Sequence, residues 1–308
     1  MGTWTERTAM PTPRHDLQTV AVDGKIYAIS GANDRTVDAV ELYDVATDTW
    51  TQGPPIPTRR GWLGADLIGG ASYVAGGKTH RPPEERPAYG NDYHFTSRDC
   101  LEVLDLETQT WSIRAPMPAG RRAGLSVVAC RGLLWAIGGN TMLHEDQRIL
   151  ARVEVYAPDT ASWAVGPVLP RPVQGPSVAS HGGLIYLTGG ISDADDGKQF
   201  RDETYVLDPD VGRWEPLAPV PTGRESSGVT VLDGRIYVIG GKETGNIKCG
   251  HMEIYDIAVD RWIEETPMPV GRCWLDACVV GERLFAMGGA YHIKGGYAWL
   301  DDVYEFVP

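Results

Sequence analysis

The segments "IYAISG" (Ile26–Gly31) and "ELYDVATDTW" (Glu41–Trp50) carry the reading that decides the fold. The first is a β-branched and aromatic run stopped by glycine, and the second places an acid six residues ahead of an indole. Both patterns recur. Runs of the first kind end at Gly31, Gly77, Gly139, Gly190, Gly241 and Gly289, mostly as Gly-Gly doublets, and each ends 27 or 28 residues after a tryptophan (Trp4, Trp50, Trp111, Trp163, Trp214, Trp262). Five of these tryptophans follow, by six positions, the end of a strand-like run at Asp44, Asp105, Ala157, Asp208 or Asp256, which is the signature of a hairpin with one fixed turn. Six copies at nearly constant period mean an array of one small unit rather than several domains.

The bulk numbers agree with a single large β-rich body. The 308 residues are 42% hydrophobic and 22% charged, with 37 glycines and 22 prolines. A net charge of -13 and the absence of a Lys/Arg-rich run argue against nucleic acid or a membrane surface as partner. The N-terminal "MGTWTERTAMPTPRHD" has no apolar signal core, and no apolar run is long enough to span a bilayer, so a cytoplasmic location is expected. Five cysteines without a CxxC pair suit a reducing compartment.

Each unit reads as four short strands, named here a to d: a after a proline-rich link ("PTPRHDLQTVAV"), b ending in the glycine doublet, c ending in the Tyr-Asp pair, d carrying the tryptophan. Such a small antiparallel sheet cannot bury both faces alone, and packing six around an axis solves that. The last unit, "DDVYEFVP", lacks its tryptophan strand, while "GTWTE" at the start is an orphan. The N-terminal strand is therefore expected to complete the last blade and close the ring.

The glycine doublet, Tyr-Asp pair and spaced tryptophan resemble the kelch repeat over essentially the whole chain. The resemblance implies an all-β fold, a six-bladed β-propeller, with blades at about 14–52, 60–114, 122–166, 173–217, 224–264 and 272–308 plus 1–6. It says little about function, since propellers of this kind host both enzymes and adaptors.

Variation is confined to the b-to-c links, and long variable loops on a rigid frame are where function concentrates. These links and the d-to-a links share one end of the propeller, the top, which also collects six of the seven histidines. Counting back 17 residues from the last glycine of each run gives Arg14, Arg60, Arg122, Val173, Arg224 and Arg272, a repeated position read as structural. In kelch domains the next two positions line the mouth. Here they are His15, Gly61, Ala123, Gln174, Glu225 and Cys273, then Asp16, Trp62, Gly124, Gly175, Ser226 and Trp274.

Blades five, six and one therefore bring Glu225, Cys273 and His15 onto one arc. His15 and Glu225 are candidates for proton transfer, Asp16 for orienting the imidazole, and Cys273, if its proton leaves near neutrality, for a nucleophile. Trp62 and Trp274 offer faces for stacking a ring, while Lys78, Asn140, Lys242 and Tyr291, just past the doublets, are placed to hold a carboxylate or hydroxyls, with Gln174 and Ser226 beside them. The opposing reading makes Cys273 a small filler, Trp274 a plug and Glu225 a partner of Arg224 or Lys242.

No cofactor is expected, except that a metal held by top-face His and Cys side chains is an open reading: "KCGH" sets Cys249 and His251 two apart, on one face of an extended strand. The Tyr93-His94 and Tyr291-His292 pairs are similar to the top-face chemistry of copper radical oxidases, but this chain has six units where those have seven. "SDADDG" resembles part of a calcium loop without its final glutamate. The 23-residue insertion Lys78 to Cys100 is read as a lid over the mouth, with a partner-binding loop as the alternative.

The blade number resembles that of the sialic acid mutarotases. That resemblance implies acid-base chemistry of isomerase, epimerase or lyase type on a polar or sugar-like small-molecule ligand. The alternative is a module that binds a protein partner through the top loops, and a metal-dependent oxidase is the lesser one.

Overall fold

The computed structural model describes residues 2–81, 94–141, 147–194, 197–245 and 249–308. Six four-stranded antiparallel sheets surround a central axis. The first contains Gln18–Val22, Lys25–Ile29, Val40–Asp44 and Thr49–Gln52 in meander order. The inner strands of the next four are Gly64–Ile68, Ser126–Cys130, Ser177–His181 and Gly228–Leu232. The sixth sheet runs Asp276–Val280, Arg283–Met287, Val303–Val307 and then Thr3–Arg7, so the N-terminal strand is the outermost strand of the last blade. Thr3 pairs with Val307 and Arg7 with Val303, which closes the ring as the orphan "GTWTE" implied.

The repeated residues hold the units together in two ways. Every d-strand indole donates its N–H to a carbonyl in the link that leaves the preceding blade: Trp4 to Thr266, Trp50 to Thr8, Trp111 to Pro54, Trp163 to Ala115, Trp214 to Pro167 and Trp262 to Ala218. The constant spacing from tryptophan to doublet leads from this contact to a second one, in which the last glycine of each run donates its N–H to the next blade, as Gly31 does to Arg60 and Gly289 to Arg14.

Within a blade, the repeated arginine is fully buried against a c-strand carboxylate and a b-strand carbonyl. Arg14 meets Glu41 and Ala28, Arg60 meets Glu102 and Val74, Arg122 meets Glu154 and Ala136, and Arg224 meets Glu253 and Val238. Arg272 bonds Asp302 at 3.0 Å and lies over the Tyr304 ring. Blade six has Tyr304 at the glutamate register and draws its carboxylate from Asp302, whereas blade four departs on both sides at once: Val173 replaces the arginine, and Tyr205, paired with Leu187 at that register, replaces the acid. A lone buried charge is costly, so the two partners change together.

Turn chemistry follows the sequence. Asp44 and Asp105 each accept two backbone N–H groups from the residues two and three further on, which fixes the c-to-d turn. The core is divided among the blade interfaces, where apolar side chains of adjacent sheets interleave, as Val128, Trp135 and Ile137 do with Val178, Ile185 and Leu187. Among the described residues no helix is long and apolar enough to cross a membrane.

Candidate functional site

At the top of the inner strands the chain makes a closed circuit. Asp16, Trp62, Gly124, Gly175, Ser226 and Trp274, one per blade, all adopt positive φ between 54° and 61°. Their backbones bond in sequence around the axis: Trp62 N–H to Asp16 C=O, Gly124 to Trp62, Gly175 to Gly124, Ser226 to Gly175, Trp274 to Ser226 and Asp16 to Trp274, at 2.8 to 3.0 Å. The inner edge of each sheet would otherwise present unpaired donors and acceptors to the channel.

From this left-handed backbone the Asp16 and Trp62 side chains reach the next blade, at Lys78 and Gly124. The Trp62 indole lies over Gly124, where a Cβ would meet the ring at 2.8 Å, and a Cβ on Gly175 would come to 3.0 Å from Glu225 Oε2 and Ser226 Oγ. These two glycines are required by the neighbours that cover them as well as by φ.

The residue before each of these pairs with the one after the doublet: His15 with Ala32, Gly61 with Lys78, Ala123 with Asn140, Gln174 with Ile191, Glu225 with Lys242 and Cys273 with Ala290. Lys78, Asn140 and Lys242 thus overhang the mouth as expected from their position. Tyr291 does not share that register, since Ala290 holds the equivalent position; Tyr291 stands one step further along the hairpin Ala290–Ile293/Gly296–Trp299. The returning strand supplies what the sequence reading missed. Trp299 stacks on His15 at 4.5 Å and 24°, and Tyr297 packs on Trp299 and, at 5.2 Å, on Trp274. The available signal was the period-2 spacing of Tyr297 and Trp299 after a Gly-Gly turn.

Two polar clusters face each other across this mouth. On one side Asp16 Oδ2 lies 3.0 Å from Lys78 Nζ and 3.3 Å from His15 Nδ1, with all three side chains largely buried. Burial opposes the Asp16 charge, but Lys78 and His15 outweigh it and hold the carboxyl down at about 2. Lys78 Nζ also sits 4.6 Å from the Trp62 ring.

On the other side Asn140 Nδ2 donates to Gln174 Oε1 at 2.8 Å, and Gln174 Nε2 to Glu225 Oε2 at 3.4 Å. Burial pushes the Glu225 carboxyl up, against the pull of Lys242 and Gln174 and with a push from the Asp16 charge. Lys242 reaches to 6.0 Å from the Trp274 ring. Asp16 Oδ1, Asn140 Oδ1 and Ser226 Oγ are buried without a hydrogen-bond partner among the described residues.

Cys273 is placed between these clusters, but its chemistry differs from the expectation. Burial, reinforced by Asp16 and Glu225, pushes the thiol up to about 12 despite Lys242, and its Sγ lies 3.7 Å from the Ala290 carbonyl. A protonated thiol on a carbonyl is not a nucleophile near neutrality. Cys273 thus lacks the lowered pKa expected of a nucleophile.

A cavity of about 380 Å³ occupies the axial space beneath the ring of Asp16, Trp62, Gly175, Ser226 and Trp274. Its carboxylates are already engaged. Asp66 accepts from Leu67 and Ala129 N–H, and Asp276 accepts from Thr19 N–H and O–H. The Asp66–Ala129 and Asp276–Thr19 bonds join adjacent inner strands, so these two acids serve the frame, while Asp16 and Ser226, which also line the cavity, keep buried oxygens without a partner among the described residues. Residues 82–93 of the insertion read as a lid, His144 and part of "SDADDG" lie outside the described residues.

The described KLHDC2/KLHL20/DRC7 Kelch-repeats domain matches residues 64–289, and the Kelch motif matches residues 13–57. The chain belongs to the kelch-repeat family. Within that family it is similar to alpha-scruin of Limulus polyphemus (26% identical, covering 71% of this chain and 23% of the relative). It is also similar to Kelch-like protein terF of Aspergillus terreus (28%, 78% and 52%) and mouse Kelch-like protein 35 (28%, 75% and 36%). The chain thus spans from under a quarter to about half of these relatives. Among solved structures, that of YjhT superposes with a TM-score of 0.76 over 96% of this chain and 95% of its own, at 17% identity, a likeness of fold alone.

Proposed function

We propose that the mouth of this kelch propeller binds a small polar or sugar-like molecule and performs acid-base chemistry of isomerase, epimerase or lyase type on it. The observation that carries the reading is the opposite treatment of two carboxyl groups at one site: Asp16 is held ionised by Lys78 and His15, and Glu225 is biased toward its protonated form by burial. Environments that drive two carboxyls apart supply an acid and a base at one pH. In this reading His15, oriented by Asp16, takes a proton, Glu225 gives one, and Lys78 offsets developing negative charge. Trp62, Trp274 and Trp299 bound the ring of the substrate, and the partnerless oxygens of Asn140 and Ser226 accept its hydroxyl protons. Cys273 fills the wall between the two clusters.

The test is binding of sugars, uronic acids and hydroxy acids by ligand-observed NMR to wild type, His15→Gln and Glu225→Gln. The reading predicts at least one ligand whose signal change is lost in both variants while their melting temperatures stay within a few degrees of wild type. Unchanged binding in both variants contradicts it.

A second reading, a surface for a protein partner, is favoured by the hairpins that rise from the same face. Lys78–His80 pairs with Phe95–Ser97, Ile191–Ala194 with Gly197–Phe200, and Ala290–Ile293 with Gly296–Trp299, leaving Ile293 at 43% exposure. A partner held there is lost on Ile293→Asp and indifferent to Glu225→Gln.

A further inference from the structure

In blades two, three, five and six the frame fixes the end of the b-to-c link by three backbone bonds. In blade five Arg272 N–H bonds Cys249 C=O, Met268 N–H bonds Gly250 C=O and Gly240 N–H bonds His251 C=O, at 2.8 to 3.1 Å. The same three bonds reach Leu300, Asp301 and Asp302 in blade six, Leu150, Ala151 and Arg152 in blade three, and Arg98, Asp99 and Cys100 in blade two. The side chains at these registers are therefore not dictated by the repeat. Combined with the second residue after the doublet, they read Thr79, Arg98 and Cys100; Thr141, Leu150 and Arg152; Tyr291, Leu300 and Asp302; but Glu243, Cys249 and His251 in blade five.

Only this last trio offers a metal ligand at all three registers, and its ligand atoms lie within 4.8 Å of one another. A buried cysteine as mere filler accounts for Cys249, which is 1% exposed, but not for a carboxylate and an imidazole converging on it.

We propose that Glu243, Cys249 and His251 form a zinc-class divalent metal site on the top face of blade five. One oxygen, one thiolate and one imidazole suit Zn²⁺ and exclude the hard cations that need an all-oxygen set. Bonds of about 2.0 to 2.3 Å in a tetrahedron bring ligand atoms to roughly 3.4 to 3.6 Å apart, so the trio has to close by at most roughly 1.4 Å on binding. The half-buried Glu243 and exposed His251 are the side chains with room to make that movement, and His251 opens a route from solvent. Cys249 gives up its proton to solvent as the Zn–S bond forms.

Three protein ligands leave a fourth position for water or an exogenous group. Glu243 adjoins Lys242, and their short strand pairs with Arg224–Glu225, so the metal is held behind the strand that carries Lys242 over the mouth.

The experiment uses the full chain, stripped with chelator and desalted, then titrated with Zn²⁺ by calorimetry and with Co²⁺ by visible absorption. The proposal expects one saturable ion per chain, a thiolate-to-cobalt charge-transfer band lost in Cys249→Ser, and weakened binding in His251→Gln and Glu243→Gln, with no displacement by excess Mg²⁺. Because His251 is exposed, its variant tests the site without risk to the fold. No saturable binding, a cobalt spectrum without the thiolate band, or affinity unchanged in all three variants overturns it.

Discussion

Asp16 and Glu225 occupy one mouth in opposite electrostatic settings, and that difference makes predictions at the level of single atoms. Glu225 has a folded pKa above its ordinary value, so the proton it holds stabilises the fold at low pH and that contribution is lost as pH rises through the shifted value. If Glu225 is the acid, activity falls over the same range, and Glu225→Gln removes the activity together with that limb of the pH profile.

The axial carboxylate Asp276 gives a sharper case, because burial raises it to about 7 in spite of the two bonds from Thr19. The folded state then binds the proton more tightly than the unfolded one, and stability declines between about pH 4 and pH 7. Asp276→Asn keeps an acceptor for Thr19 and removes the charge. Urea melts should place it close to wild type near pH 4 and above it near pH 8, by on the order of 2–4 kcal/mol. A variant less stable at both values shows that the ionised carboxylate is the stabilising form. Gly124 is the third such position: Gly124→Ala drives a Cβ into the Trp62 indole at positive φ, and should lower stability by about 1–3 kcal/mol in thermal melts while shifting the near-UV signal of the indole.

At the scale of the blade, the buried Arg–carboxylate pair can be taken apart by a double-mutant cycle. Glu102→Gln leaves the Arg60 guanidinium buried without its counter-charge and should cost about 3–5 kcal/mol, whereas Arg60→Met with Glu102→Leu should cost much less than the sum of the single changes. Blade four already carries an uncharged version in Val173 and Tyr205. Equal, additive losses measured by denaturant unfolding would show that the pair does not act as a unit. The strand order and the structural role of Arg14, Arg60, Arg122, Arg224 and Arg272 were legible in the sequence because each arginine stands 17 residues before the last glycine of its run, whereas their carboxylate partners, 27 to 42 residues away across links of unequal length, were not. The hairpin that lays Trp299 on His15 was not legible. The repeat sets the register as far as the first residue past the doublet, which is Ala290 and not Tyr291, and what the returning strand lays over the mouth is set by each link alone. Nor could the sequence weigh burial against neighbouring charge, which is what separates Cys273 from a thiolate.

For the whole molecule, ring closure rests on Thr3–Arg7, with Trp4 packed on Phe306 at 4.9 Å and bonded to Thr266. Trp4→Ala should therefore cost roughly 2–4 kcal/mol, and removal of residues 2–7 should replace one cooperative calorimetric transition by an early, broadened one. A truncated chain that melts as sharply and as high as wild type contradicts the closure role. The closed ring also places blade six beside blade one, which is why Trp274, Trp299 and His15 meet although 259 residues separate Trp274 from His15 in the chain. The central claim is that this meeting point does proton chemistry. The most direct measurement follows the sugars and hydroxy acids retained by the binding screen in D₂O by ¹H NMR, reading anomer interconversion and loss of carbon-bound protons. Wild type should accelerate one of these processes for a bound ligand, and His15→Gln and Glu225→Gln should return it to the uncatalysed rate. Binding without any acceleration, or acceleration that survives both substitutions, contradicts the claim.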